Sequence, residues 1–308
     1  MKAVVLAAGK GSRLYPVTHH IPKPLLPLAN RITLEFAFDR LKEIGVTDIC
    51  LVVGENESKM KAALKDGSQF GVKLHYVRQH EPKGLAHALG FAAEWVNKDP
   101  FVLYLGDAIY TTTLVPYANR FVETGCSNLN LVQPVEDPRR YGVANTDGER
   151  IVRLVEKPEH PESNLAMAGT YFFGSEIWSI LPDLKPSARG EYEITDAIQM
   201  LIDRGHTVLA GIYHGHWFDS GTLDSYLEVS AYLSEGKILN AGTVEGQVDS
   251  PVVIGAGATV ICDSIEDSVI LPGAKVHVLG RIRHALLGGH VKSDDDISNE
   301  IVYDHDRT

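Results

Sequence analysis

Cysteine is nearly absent from this chain. Its 308 residues include Cys50, Cys126 and Cys262, widely separated and without a C-x-x-C pair. That excludes a disulfide framework and a cysteine zinc site, and it suits a reducing cytoplasm. Cys50 lies in an apolar run and is expected in the core. Long apolar runs are also missing: no stretch approaches the roughly 18 unbroken apolar residues of a membrane span. No signal-peptide pattern precedes the first apolar run, which begins at residue 2 or 3. Positive charge is scarce, with 29 Lys and Arg against 40 Asp and Glu and a net charge of −11. This argues against a nucleic-acid-binding or membrane-surface protein; a polyanion would need locally concentrated cations or a metal. Nucleophile signatures are lacking as well. There is no nucleophile elbow, and the 13 histidines show no H-E-x-x-H spacing, so no covalent intermediate is expected. His19, His20, His214 and His216 are expected in loops or at the surface. The acidity rises in Ser293–Asp296 and Asp304–Asp306, expected to be a solvated tail.

What is present begins with Ala3-Val4-Val5-Leu6-Ala7-Ala8-Gly9-Lys10-Gly11-Ser12-Arg13-Leu14, followed by Pro22-Lys23-Pro24-Leu25. The apolar, partly β-branched run predicts a buried strand. It breaks into a small-residue loop, and glycine there lets backbone N–H groups approach a phosphate closely. Position 14 is Leu, which excludes the dinucleotide G-x-G-x-x-G, and Gly11-Ser12-Arg13 does not supply a Walker A loop. A lone G-x-G also fits an ordinary strand-to-helix turn. Lys10, Arg13 and Lys23 lie close by in sequence, so the expectation is a nucleoside triphosphate held near the N-terminus.

Apolar content of 44% and charge of 22% are ordinary for a globular chain with a sizeable core. Strands are predicted at 48–53, 72–77 and 101–105, with helices from Thr33 to Ile44, over 57–66 and over 84–96. Alternating strands and helices imply a parallel sheet with right-handed crossovers. Ligands of such sheets sit at strand carboxyl ends, which places the 9–13 loop, Gln79 and Asp107 on one edge. From about residue 129 strands follow with fewer helices, at 129–135, 142–145, 151–155 and 166–173. They read as an insertion that completes the sheet and walls a cleft. A helix over 193–204, a strand over 207–213 and a helix over 222–234 close this part. Beyond residue 243, Val248, Ile254 and Val260 are six apart, as are Ile270, Val276 and Ile282. With Gly255-Ala256-Gly257 and Pro272-Gly273 this has the texture of hexapeptide β-helix coils, an irregular strand tail being the alternative.

Asp107 directly follows a strand and Gly106, a natural position for a Mg²⁺ ligand but also for a turn or cap. Asp219, just before the 222–234 helix, has the same two readings. Lys157 in Glu156-Lys157-Pro158 either reaches a cleft or is simply exposed.

Taken together, these motifs make the chain resemble the sugar-1-phosphate nucleotidylyltransferases, most of all those acting on glucose 1-phosphate and a thymidine nucleotide. The resemblance covers most of residues 1–235. It runs through Gly9-x-Gly11-Ser12-Arg13-Leu14-Tyr15-Pro16, Lys23-Pro24-Leu25-Leu26-Pro27, Gly67-Ser68-Gln69-Phe70-Gly71, Gly84-Leu85-Ala86-His87-Ala88 and Leu105-Gly106-Asp107. It continues through Asp137-Pro138-x-Arg140-Tyr141-Gly142-Val143, Glu156-Lys157-Pro158, Lys185–Asp196 and Asp219-Ser220-Gly221-Thr222. The resemblance implies an α/β fold, a Rossmann-like, mostly parallel sheet, with a short left-handed β-helix-like extension. The implied domains are 1–240, the nucleotidylyltransferase domain, and 241–308, the extension and acidic tail. It implies Mg-assisted in-line attack of a sugar 1-phosphate on the α-phosphorus of dTTP, giving dTDP-glucose and pyrophosphate, without a protein nucleophile.

By the family pattern, Arg13 and Lys23 hold the triphosphate, Lys157 the sugar phosphate, and Asp107 and Asp219 the Mg²⁺. Leu6, Ala7, Ala8, Gly9, Gly11, Gln79 and Gly84 would contact the nucleotide, with Gln79 on the pyrimidine edge. Leu85, Tyr141, Gly142, Glu156, Met167 and Tyr171 would line the sugar site. The resemblance also suggests a homo-oligomer. Departures are visible: Ala8 replaces a glycine usual in thymidylyltransferases, Ala108 follows Asp107 where the family has Asn, and Met167 stands where Val is frequent. The 6–11 loop looks more like that of uridylyltransferases, including those for N-acetylglucosamine 1-phosphate. UTP therefore competes with dTTP, and a non-catalytic sugar-nucleotide-binding regulator is a third reading.

Overall fold

The computed structural model describes the backbone of residues 1–307 and the side chains of residues 1–304. The chain forms two compact units, neither contiguous in sequence: Met1–Gly9 with Phe36–Trp217, and Lys10–Glu35 with Phe218–Thr308.

The first unit is built on a nine-stranded sheet. Its strands are β1 (Lys2–Ala7), β2 (Asp48–Val53), β3 (Lys73–Arg78), β4 (Phe101–Leu105), β5 (Asn128–Pro134), β6 (Gly142–Asp147), β7 (Arg150–Glu156), β8 (Leu165–Phe173) and β9 (Val208–Ile212). Their spatial order is β3-β2-β1-β4-β8-β5-β9-β7-β6. The first four strands are mutually parallel, with β1 between β2 and β4. Ala3–Ala7 are all buried, as expected of a strand covered on both faces. Each fully buried Val or Leu there contributes about 1.5–3 kcal/mol. From β5 onward fewer helices intervene, the expected change of pattern after residue 129, and the strands turn mostly antiparallel, which the sequence reading did not anticipate. The stretch expected as one helix over 84–96 is two, α1 (Leu85–Gly90) and α2 (Ala93–Val96), separated just after Gly90. Cys50 is fully buried, as expected.

In the second unit, Lys10–Glu35 joins a helix, α3 (Leu223–Leu233), and a stack of parallel strands. Its longer strands are β10 (Thr243–Ile254), β11 (Thr259–Ile270), β12 (Lys275–Val278), β13 (Leu286–Ser293) and β14 (Ile301–Arg307). The six-residue spacing has a direct cause. Val244, Val260, Val276 and Val291 stand in register on successive coils, and so do Ile254, Ile270, Leu287 and Val302. A third ladder runs Val248, Ile265, Ile282, Ile297. These ladders form one apolar core, so the β-helix-like extension is present and the irregular tail is not.

The acidic end departs from the solvated tail expected of it. Apolar Ile301 and Val302 carry a further strand into the stack. Asp296 accepts from the Arg281 backbone N–H at 2.7 Å and its guanidinium at 3.1 Å, and Asp304 accepts from the His290 N–H at 2.8 Å. The side chains of His305 and Asp306 lie outside the described residues. Among the described residues no helix is long and apolar enough to cross a membrane, and the three cysteines are buried and unpaired.

Candidate active site

In the first unit, parallel register brings the carboxyl ends of β3, β2, β1 and β4 to one edge. Ala7 pairs with Val53, Leu6 with Leu105, and Val53 with Arg78. The Gly106 N–H donates to Leu6 O at 2.9 Å and the Gln79 N–H to Val53 O at 2.8 Å. Gly9, Gln79 and Asp107 therefore share the edge where the sequence rule placed them, while Lys10–Arg13 of the expected 9–13 loop belong to the other unit. Gly54 belongs there too: a Cβ on it would lie 2.7 Å from Ala8 O, so glycine is what admits the β1 loop.

Gln79 is buried, and its carboxamide nitrogen donates to Gly84 O at 3.3 Å and meets His87 Nδ1 at 3.0 Å. A carbonyl can only accept, which fixes the amide orientation and leaves its oxygen as the acceptor. Gly84 has φ +107, and a Cβ there would be 2.5 Å from Tyr192 O. Burial, then the Lys83 charge, holds the His87 imidazole below its usual value, keeping it neutral beside Gln79. Leu85 opens α1 and packs on the main core.

A second group lies where β7 pairs with β6, with Glu156 opposite Gly142. A Cβ on Gly142 would be 2.4 Å from Thr195 Cγ2, 3.2 Å from Met167 Cγ and 3.3 Å from Glu156 Oε2. Bare backbone at Gly142 thus gathers Glu156 and Met167. The Thr195 hydroxyl donates to Glu156 Oε2 at 2.8 Å. Glu156 Oε1 lies 3.6 Å from Lys157 Nζ and 3.4 Å from Arg189 Nη1. Lys157 has φ +43, and its N–H donates to Tyr141 O at 2.9 Å. Tyr141 packs edge-on to Trp217, ring centres 5.2 Å apart. Tyr171 is 3% exposed. Burial first, then the charges of Glu156 and Asp107, push its phenol well above the usual range, so it is a neutral hydroxyl. The Glu193 and Asp196 carboxyls are raised by burial, and further by Glu156.

In the second unit, Gly11 at φ +65 caps the short helical turn Ser12–Leu14. A Cβ on it would meet Lys23 Cβ and Thr18 Cγ2, each at 3.1 Å. The Thr18 hydroxyl donates to Gly11 O at 2.8 Å. Lys23 is 8% exposed, which for a lysine demands a partner, and its Nζ lies 3.7 Å from Asp219 Oδ1. A Cβ on Gly221 would lie 2.6 Å from Arg13 Nη2 and 2.8 Å from Asp219 Oδ1. Arg13, Lys23 and Asp219 therefore converge. Asp219 is not the cap of α3: Thr222 is, in a capping box with Ser225.

A model for nucleotidyl transferases matches residues 2–236 of this sequence. The chain belongs to the nucleotidyl transferase family. It is a nucleotidyltransferase enzyme of the sugar-1-phosphate type. It is 35% identical to Agl11 of Haloferax volcanii, described as a low-salt glycan biosynthesis nucleotidyltransferase, over 97% of this chain and 96% of that one. A glucose-1-phosphate thymidylyltransferase of Streptomyces griseus is 34% identical over 95% of this chain and 93% of its own. Among solved structures, a Bacillus anthracis protein assigned as a glucose-1-phosphate thymidylyltransferase, with sucrose bound, superposes with a TM-score of 0.72. It is 36% identical and covers 79% of this chain and 98% of its own.

Three residues of this nucleotidyltransferase carry geometry that the sequence reading left without a role. Arg189 and Thr195 lie inside the quoted Lys185–Asp196 stretch, but only folding shows both on Glu156. Gly54, alone between a strand and a helix, gave no signal that Ala8 backs onto it. Among the described residues no group of three or more His, Cys, Asp or Glu side chains could itself hold a metal.

Proposed function

We propose that the enzyme transfers a thymidylyl group from dTTP to glucose 1-phosphate, releasing pyrophosphate, and that residues 1–240 carry this activity with 241–308 as an extension. The convergence of Arg13, Lys23 and Asp219 supports the reading most, since it presents two cations and a carboxylate, a set suited to a metal-bound triphosphate.

Arg13 and Lys23 bind the triphosphate and neutralise the charge that builds on the departing pyrophosphate. Lys157 binds the sugar phosphate, and Arg189, sharing Glu156 with it, is a candidate second cation. Glu156 accepts from sugar hydroxyls while Gly142, Met167, Leu85, Tyr141 and the neutral hydroxyl of Tyr171 shape the sugar site. Leu6, Ala7, Ala8, Gly9, Gly11 and Gly84 offer backbone to the nucleotide. The Gln79 oxygen suits a pyrimidine N3–H, a donor common to thymine and uracil. Hard carboxylate oxygens with phosphates completing the shell fit Mg²⁺, so Asp107 and Asp219 would hold it. Bound there, the ion polarises phosphate oxygens and offsets their charge. The sugar phosphate oxygen needs no protein base, because it is already an anion at neutral pH.

A uridylyltransferase is the second reading, favoured by Ala8 in the 6–11 loop. A homo-oligomer and a cytoplasmic location belong to the proposal as well, the first checked by light scattering. The deciding assay is pyrophosphate release with dTTP or UTP against glucose 1-phosphate or N-acetylglucosamine 1-phosphate, with Mg²⁺. The fastest turnover is expected for dTTP with glucose 1-phosphate. Preference for UTP would move the assignment to the second reading, and no turnover with any pair would overturn both.

A further inference from the structure

The extension beyond residue 241 has no part in the chemistry above, yet it belongs to the same compact unit as Lys10–Glu35. That segment carries Arg13 and Lys23. Between them, His20 stacks on Tyr303 of β14, with ring centroids 3.9 Å apart and planes within 10°. Tyr303 has a seat made for it. A Cβ on Gly288 would lie 2.6 Å from Tyr303 Cδ2, and one on Gly289 3.0 Å from its Cε1. Bare backbone at Gly288 thus leaves room for the ring, while a side chain on Gly289 would first meet the Asp304 carboxylate.

A second attachment runs through α3. The Tyr226 hydroxyl donates to Pro27 O at the far end of the same segment. This helix packs on β10 and β11. Its first turn is tied to the extension by His284, whose Nε2 meets Asp224 Oδ1 at 2.8 Å and whose Nδ1 meets Asp267 Oδ2 at 2.5 Å.

We infer that the extension is a brace for the cation-bearing segment, with His20 and Tyr303 as positioning residues that set triphosphate affinity without touching substrate. The consequence for binding rests on the function proposed above; the mechanical part does not. Two variants test it in the whole chain: Tyr303→Ala removes the stack, and Tyr303→Phe keeps it. Hydrogen exchange by mass spectrometry reads the backbone of residues 10–35 without needing activity. Tyr303→Ala should speed exchange there and raise the KM for the nucleoside triphosphate about three- to ten-fold, the range an aromatic pair contributes. The KM for sugar 1-phosphate should stay within about two-fold, and Tyr303→Phe should behave as wild type. Unchanged exchange over 10–35 in Tyr303→Ala would overturn the brace. So would equal rises in both KM values with a lowered melting temperature, which would mark a general structural role. If the parent enzyme turned over no substrate pair, the function assignment would fall while the exchange result still decided the brace.

Discussion

At the residue scale, the candidate site is held by bare backbone as much as by side chains. Gly142 is surrounded by Thr195, Met167 and Glu156 at 2.4–3.3 Å from where a Cβ would stand. Gly142→Ala should therefore push Glu156 aside and raise the KM for sugar 1-phosphate far more than that for the nucleotide; steady-state kinetics with each substrate varied would show it. Gln79→Ala should do the reverse, since Gln79 is assigned to the base, and equal losses for both ligands would contradict that assignment. Lys23 is a buried cation on Asp219, so Lys23→Ala should cost on the order of 10²–10³ in kcat, as loss of one charge-stabilising donor does elsewhere. The meeting of Arg13, Lys23 and Asp219 involves residues that the sequence already singled out, because each sits in an ordered motif. Thr195 and Gly54 were not singled out, because their contacts exist only once a distant helix packs on its strand and distant strands come into register.

At the element scale, patterning served well where one period dominated. The buried run of β1 and the six-residue repeat of the extension each declared their element, because continuous burial and coil geometry write themselves into spacing. The same reasoning extended one helix across Gly90 and left the acidic end in solvent. Composition there hides Ile301 and Val302, the two residues that dock a last coil. The α3 start offers an element-scale test of stability. His284 is partly buried, which lowers its pKa, but hydrogen bonds and charge from Asp267 and Asp224 outweigh this and raise it above the usual 6.5. A histidine raised in the folded state stabilises fully below its unfolded pKa, and that contribution is lost as pH rises through the folded value. The stability advantage of the parent over His284→Gln should therefore shrink as pH climbs upward from 6.5, measured by calorimetry. A difference that stayed constant across that window would show the imidazolium is not what stabilises.

At the scale of the whole molecule, the two compact units cut across chain order, and this is the feature that sequence could least convey. Loop composition proposes phosphate binding at residues 9–23, yet nothing in it says that Lys10–Glu35 folds with the chain's far end. Long-range grouping is decided by which apolar faces meet, and local patterning carries no address for the partner. The chemistry proposed for the assembled enzyme is direct: the oxygen of the sugar phosphate attacks the α-phosphorus in line, with charge neutralised by Arg13, Lys23, Lys157 and the metal. The proposal needs no protein nucleophile. The most direct measurement of that claim uses dTTP of single configuration at a sulfur-substituted α-phosphorus, with glucose 1-phosphate as acceptor. One in-line displacement predicts inversion at phosphorus in the sugar nucleotide formed. Retention would mean two displacements through a covalent nucleotidyl-enzyme, and would contradict the account.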